Sequence, residues 1–380
     1  MIYLDNAATS FPKAPGVPEA VYDFLKNIGA NSGRSSHSLA RKASSIVFET
    51  REKLGQLFNV RDETRIIFTS NATEALNTTI MGLVKEGESV ITSSMEHNSV
   101  IRPLRVLESA NDVKLWKIKS DKFGNPDLKD FDQLLKKKPN HLIFTACSNV
   151  TGTIFPFEEM AEKAKKIGAN VILDASQIAG FIPIDFEKSA FDVICFPGHK
   201  SLLGPTGTGV FILKEGVDFT PLKFGGTGSR SHLEHQPEFL PDKFESGTLN
   251  IAGIAGLNKA LEFIEETGMD NIRFQKGNLT NQLIYGLQQF PDLEIFSPID
   301  SKIQAGVISI VPHNMKLSQF TYELDRKEIA VRMGLQCAPL AHQTIGTFNY
   351  GGTIRITPGC FNSKEEIEIT LELIADIMKK

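Results

Sequence analysis

One feature constrains this chain more than any other. From residue 65 to residue 213, short β-type runs alternate with helical spacings. The runs are Arg65–Thr69, Ser89–Thr92, Val113–Ile118, His141–Thr145, Val171–Asp174, Asp192–Phe196 and Gly209–Leu213. Helical patterns lie between most of them, such as Ala72–Val84, Leu128–Lys137 and Phe157–Ile167. Strands that alternate with helices give a mostly parallel sheet covered on both faces. Ahead of this region, Leu39, Ala43, Ile46, Val47, Leu54 and Leu57 space a helix over 38–58, with Ser38 as its N-cap. Beyond it, the Gly- and Pro-rich stretch from Pro221 to Gly247 reads as irregular. Helices are predicted at Ile251–Thr267 and Asn271–Phe290, short strands at Val307–Val311, Ile329–Arg332 and Thr353–Thr357, and a last amphipathic helix at Lys364–Lys380. The expected fold class is α/β: a large domain over 38–250 with a mostly parallel seven-stranded sheet, and a smaller α+β domain from 1–37 plus 251–380.

A parallel α/β sheet binds ligands at the carboxyl ends of its strands. Here those ends are polar. Ser70-Asn71-Ala72-Thr73-Glu74 follows the first run and opens a helix, where unpaired N–H groups and the helix dipole favour an anion. Met95-Glu96-His97-Asn98 follows the second run, and Cys147-Ser148-Asn149 follows His141–Thr145. Asp174 ends its strand and leads to Gln177, and Pro197-Gly198-His199-Lys200 ends the next. Singly, each is an ordinary cap or a solvated side chain. Together on one rim they match the needs of pyridoxal 5′-phosphate chemistry. That cofactor requires a lysine for its Schiff base, a carboxylate on the pyridine nitrogen, an anion site for its phosphate and a ring over its face. Lys200, Asp174, the Thr73 turn and His97 can fill those roles. No GxGxxG follows the first run, and no Walker A motif is present.

Composition removes other classes. The chain has 380 residues, 41% hydrophobic and 23% charged, as expected of a globular protein. Its 41 Lys and Arg against 45 Asp and Glu give a net charge of −4. That leaves no basic footprint for nucleic acid or an anionic membrane. The run Lys136-Lys137-Lys138 reads as the solvated end of a helix. Four cysteines, none in a CxxC, support neither a disulfide framework nor a zinc or other metal site, and suit a reducing compartment. The N-terminus has no basic region followed by an apolar stretch, and no apolar run approaches the roughly 20 residues that cross a bilayer. The expected location is cytoplasmic.

The sequence resembles the class V aminotransferase family of fold-type I pyridoxal phosphate enzymes, and within it the cysteine desulfurase/selenocysteine lyase branch. The resemblance runs from YLDNAAT (3–9) to GTIRITPG (352–359) and rests on TSNATEALN, SMEHNS, CSNVTGT, LDASQ, PGHKSLLGPTGTG, FESGTLN and IAVRMGLQCAPL. It implies that Lys200 is the Schiff-base lysine and moves the substrate α-proton. It implies Asp174 on the pyridine nitrogen, Gln177 on the phenolic oxygen and His97 over the ring. Ala72, Thr73 and His199 are implied phosphate ligands, and Asn149 lies near the ring and the substrate carboxylate. Thr248 resembles a residue that reaches the phosphate of the other subunit, which implies a homodimer with shared active sites. Arg355 resembles the arginine that pairs with the substrate carboxylate, and Ala7, Ala8 and His37 fall where the family lines the substrate entrance.

The activity implied is cysteine desulfuration. L-cysteine becomes L-alanine, and its sulfur passes to Cys337 as a persulfide for a sulfur-carrier or iron–sulfur scaffold protein. Selenocysteine lyase, a class V aminotransferase or epimerase, and a sulfur-relay scaffold without catalysis stay open, because one fold hosts several chemistries. Cys147, Cys195 and Cys360 read as structural. Two departures stand out. Pro197 replaces the Ser or Thr that the family usually places two residues before the His–Lys pair, so a phosphate-binding hydroxyl is lost there. Short-loop desulfurases commonly read RxGHHCA, whereas here Leu335-Gln336 precede Cys337, so no His adjoins the thiol.

Overall fold

The computed structural model describes residues 1–33 and 37–379. Its main sheet has seven strands, in the order Ile66–Thr69, Gly209–Leu213, Val193–Pro197, Asn170–Asp174, His141–Thr145, Ser89–Ser93 and Lys114–Ile118. Gly209–Leu213 is antiparallel to both neighbours, and the remaining pairings are parallel. The alternation along each strand divides the apolar core. Phe68, Ile91, Leu142, Phe144, Leu173, Phe196 and Ile212 pack on one face. Ile67, Val90, Ile143, Ile172, Val193, Phe211 and Leu213 pack on the other. Burial on both faces explains why these strands read as continuous apolar runs.

Helices cover both faces. Ser38–Phe58 docks on the sheet through Phe58, whose ring stacks 4.7 Å from that of Phe196. Truncating either ring to alanine would cost about 3–5 kcal/mol. This helix is capped by His37, whose Nδ1 accepts from the Ala40 amide at 3.2 Å. Ser38, expected as the cap, is instead the first helical residue, because the extended backbone that a cap requires falls on His37. The helix Asn98–Ala110 is hard to read from sequence because Pro103 lies inside it and cannot donate to the helical ladder.

A four-stranded antiparallel sheet runs in the order Arg332–Gly334, Thr353–Ile356, Ile308–Pro312 and Leu293–Ile295. Helices Met269–Leu287 and Lys364–Met378 cover it through Leu279, Leu283, Ile367 and Ile374. The run expected as one strand over 329–332 is two strands in two sheets. Ile329–Ala330 pairs in parallel with Ile2–Tyr3, and Arg332–Gly334 pairs with Thr353–Ile356. That switch carries the chain towards Cys337. No helix among the described residues is long and apolar enough to cross a membrane.

Candidate active site

Five strands of the main sheet end at one cavity, and the Thr353–Ile356 strand of the smaller sheet closes its far side. Ala7, Ala8, Ala72, Thr73, His97, Asn149, Asp174, Gln177, His199, Lys200, Cys337 and Arg355 all line it. The turns after the parallel strands bring these distant residues together.

Asp174 is the last residue of its strand and is only 3% exposed. Its Oδ1 accepts the Ser176 amide at 2.9 Å. Burial raises its pKa, opposed by that hydrogen bond and by the Lys200 charge. Burial pushes the Lys200 ammonium down to about 8. Arg355 and Arg332 push the same way, while Asp174 and Cys337 oppose. A lysine at about 8 has a substantial neutral fraction near physiological pH, the form able to attack a carbonyl or accept a proton. His199 is pushed down to about 4 by burial and then by the Lys200 and Lys13 charges, and its Nδ1 is buried without a partner among the described residues. The carbonyl of His199 accepts from Thr9 Oγ1, Ser10 Oγ and Lys13 Nζ at 3.1–3.2 Å, which ties the N-terminal segment to the Lys200 turn. Gln177 Nε2 donates to the Ala7 carbonyl at 3.3 Å.

Thr73 lies in the first turn of the helix Ala72–Leu83, which Asn71 caps by accepting the Glu74 amide. The first amides of a helix have no partner inside it. Gly209 permits this placement: a Cβ there would sit 2.3 Å from the Asn71 carbonyl carbon. Thr73 Oγ1 lies 2.7 Å from Ser99 Oγ, which in turn lies 2.9 Å from His97 Nδ1. The Ser99 amide also donates to His97 Nδ1, so the neutral ring carries its proton on Nε2. Burial, and then the Lys200 charge, lowers His97 to about 4 and keeps it neutral. Ser99, missed from sequence, brings a hydroxyl to the cavity wall that Pro197 also lines. Its only sequence signal was its place two residues after His97.

Arg355 is 2% exposed. Strand alternation sends Ile354 and Ile356 into the core of the smaller sheet and Arg355 to the opposite face. Its Nη2 pairs with Asp5 at 2.8 Å, its Nη1 donates to the Asn149 carbonyl, and its Nε is buried without a partner among the described residues. Arg332, opposite Arg355 in the strand register, is exposed and lines the same cavity. It too was missed as a site residue, although it lies in the motif that carries Cys337. Cys337 is exposed. Its backbone φ is 57° and that of Gln336 is 40°. Two consecutive left-handed residues with side chains cost roughly 1–2 kcal/mol each. The Cys337 carbonyl accepts the Asn98 amide, and the Gln336 carbonyl accepts Asn149 Nδ2, both at 2.8 Å.

Two expected site residues lie elsewhere in the chain. His37 is exposed and spends its Nδ1 on the helix cap. Thr248 is exposed at a separate cleft with Gly226, Thr227 and Gly228. Cys147 lies in the wall of the main cavity, but burial pushes its thiol up to about 12, away from the reactive thiolate.

A family model described as aminotransferase class-V matches residues 2–370. A Pyrococcus abyssi protein named "Probable cysteine desulfurase" is 32% identical over 387 residues, covering 100% of this chain and 94% of that protein. A Synechocystis protein of the same name is 32% identical, covering 98% and 90%. The apo structure of cysteine desulfurase from Thermococcus onnurineus NA1 superposes with a TM-score of 0.92 at 31% identity, covering 100% of this chain and 94% of that one. The Escherichia coli cysteine desulfurase CsdA superposes at 0.88 and 25% identity, covering 99% and 94%. With the family model spanning nearly its whole length, the chain belongs to the class-V aminotransferases.

Proposed function

We propose that this protein is a cysteine desulfurase that uses pyridoxal 5′-phosphate to convert L-cysteine to L-alanine and leaves the sulfur on Cys337. The observation that carries the reading is the exposed Cys337 thiol on the same cavity as Lys200, Asp174 and Arg355. An aminotransferase needs the last three but no thiol.

The residues present fit the cofactor. A buried carboxylate, a buried amine, a helix N-terminus and the unpartnered His199 Nδ1 and Arg355 Nε make a donor set suited to a cationic ring nitrogen and two anionic groups. Lys200 would hold the group covalently, Asp174 its ring nitrogen and Gln177 its phenolic oxygen. Ala72, Thr73 and His199 would hold its phosphate, with Ser99 supplying the hydroxyl that Pro197 cannot. When bound, it supplies an electron sink conjugated to the substrate α-carbon.

Arg355, braced by Asp5 and Asn149, would orient the substrate carboxylate, with Arg332 adding positive charge from the edge strand. Lys200 Nζ, lowered to about 8, takes the α-proton and returns it. Neutral His97, which lines the cavity, has its Nδ1 occupied by Ser99 and would offer Nε2–H as its donor. Cys337 attacks the substrate sulfur as a thiolate, the Cβ–S bond breaks, and the electron pair left on carbon takes a proton. L-cysteine and one thiol thus become L-alanine and one persulfide, with atoms balanced. A sulfur-acceptor protein would then take the outer sulfur.

The reading includes a homodimer. Thr248 sits away from its own chain's cavity and exposed, as suits a residue that serves a second subunit. The exposed Phe48 ring lines the same cleft as Thr248, and an apolar side chain beside that residue suits a face covered by a second subunit. The division into a large part over 38–250 and a smaller part from 1–37 plus 251–380 belongs to the same reading.

Alanine release from L-cysteine tests it, measured for wild type, Lys200→Ala and Cys337→Ser with a thiol reductant present. Wild type should release alanine. Lys200→Ala should lose the visible absorption band and all turnover, and Cys337→Ser should keep the band and lose turnover. Equal alanine release from wild type and Cys337→Ser would make the thiol structural and turn the reading towards a lyase or aminotransferase.

A further inference from the structure

The turn that carries Cys337 is held by a buried polar chain that no step above uses. Gln336 is 4% exposed. Its Nε2 donates to the Thr353 carbonyl at 2.9 Å, which fixes the orientation of the amide and makes Oε1 the acceptor. His342 Nε2, 2.7 Å from that oxygen, must therefore donate. His342 Nδ1 lies 2.7 Å from the Thr347 hydroxyl oxygen. His342, Thr347 and Thr353 are all 0% exposed. Burial lowers the His342 ring to about 4, so the ring is neutral near physiological pH and its Nδ1 accepts the Thr347 hydroxyl. No proton is passed to the thiol through this chain.

What the chain holds is geometry. Gln336 and Cys337 are consecutive left-handed residues, a conformation that side-chain-bearing residues keep only where the surroundings over-determine it. Return of either residue to ordinary backbone angles would redirect the Cys337 Cβ, and with it the sulfur. Carbonyl contacts from Asn98 and Asn149 fasten the turn on the side of the main sheet. The Gln336 side chain fastens it on the side of the smaller one.

We propose that Gln336 is a positioning residue: clamped between His342 and Thr353, it holds the left-handed pair that presents the Cys337 thiol to the Lys200 cavity. The inference rests on the desulfurase reading for what the thiol does, while the clamp belongs to the chain itself. It also accounts for the missing His beside Cys337. The residue at that position works through its backbone and its buried amide.

Gln336→Leu removes all three amide contacts, those with the Thr353 carbonyl, His342 and the Thr353 hydroxyl, at similar bulk. Hydrogen–deuterium exchange of the 335–338 segment, measured in cofactor-free protein, reads the clamp without any turnover. Steady-state kinetics with L-cysteine read its consequence. Exchange in that segment should rise at least tenfold in the variant. Its kcat for alanine release should fall at least tenfold, with KM for L-cysteine and the visible cofactor band within twofold of wild type. Thr347→Val, nearly isosteric and two contacts away, should raise exchange about threefold and guards against a Gln336→Leu protein that does not fold. Unchanged exchange at 335–338 in folded Gln336→Leu, or unchanged exchange in Thr347→Val if the first variant is unfolded, would overturn the clamp. A fall in kcat matched by loss of the cofactor band would also overturn it, by showing a general structural defect. Wild-type protein that releases no alanine would defeat the desulfurase reading alone, since the exchange comparison still decides the clamp.

Discussion

Residues in this site are tuned mainly by burial. His342 shows the consequence with no cofactor involved. An unfolded histidine titrates near 6.5, whereas in the fold His342 is held down to about 4 by burial. As pH falls below 6.5 the unfolded chain takes up this proton before the folded one, so stability is complete above that pH and is lost towards pH 4. One such histidine contributes at most about 3 kcal/mol of that loss. Urea denaturation at pH 7 and pH 5 should show the wild-type loss, and His342→Gln should show a smaller one. An identical pH slope in the variant would mean that the ring titrates normally. At this scale the sequence was informative where one residue type has one chemistry. Lys200, Asp174 and His97 stand at strand ends, and their chemistry follows from their type. Ser99, Arg332 and Gln336 were not legible as site residues, because their roles depend on which neighbour they meet in space.

Single elements place those residues. The antiparallel strand Gly209–Leu213 starts directly beneath Asn71, the cap of the helix that carries Thr73. Gly209→Ala would drive a methyl group into the Asn71 backbone, and the helix start must shift. The expected result is at least tenfold weaker cofactor retention on dialysis, with the fold kept. Retention equal to wild type would show that the helix start does not cradle the phosphate. Strand positions were legible to within about a residue because buried parallel strands are unbroken apolar runs. Short elements were not. The strand over 329–332 splits because Ala330 pairs with Tyr3 and Arg332 pairs with Arg355, partners in two different sheets. The helix Asn98–Ala110 is hidden by Pro103.

Across the whole molecule, the cavity lies where the carboxyl ends of the main sheet meet the smaller sheet, with Lys200 and Asp174 from the main sheet and Arg355 from the smaller one lining it beside Cys337. Thr248 is the residue that a single chain does not explain. If it serves a second subunit, the protein sediments as a dimer. Thr248→Val should then weaken cofactor retention by the loss of one charge-assisted hydrogen bond, about 1.5–3 kcal/mol, or roughly tenfold or more. A monomer with full retention would contradict the shared site. The account depends above all on the fate of the substrate sulfur. The most direct measurement is the mass of the Cys337 peptide after one turnover of holoenzyme with L-cysteine and no reductant. The account predicts that this peptide gains one sulfur atom in step with the alanine formed, while those of Cys147, Cys195 and Cys360 gain none. Alanine formed with no sulfur on Cys337 would contradict it.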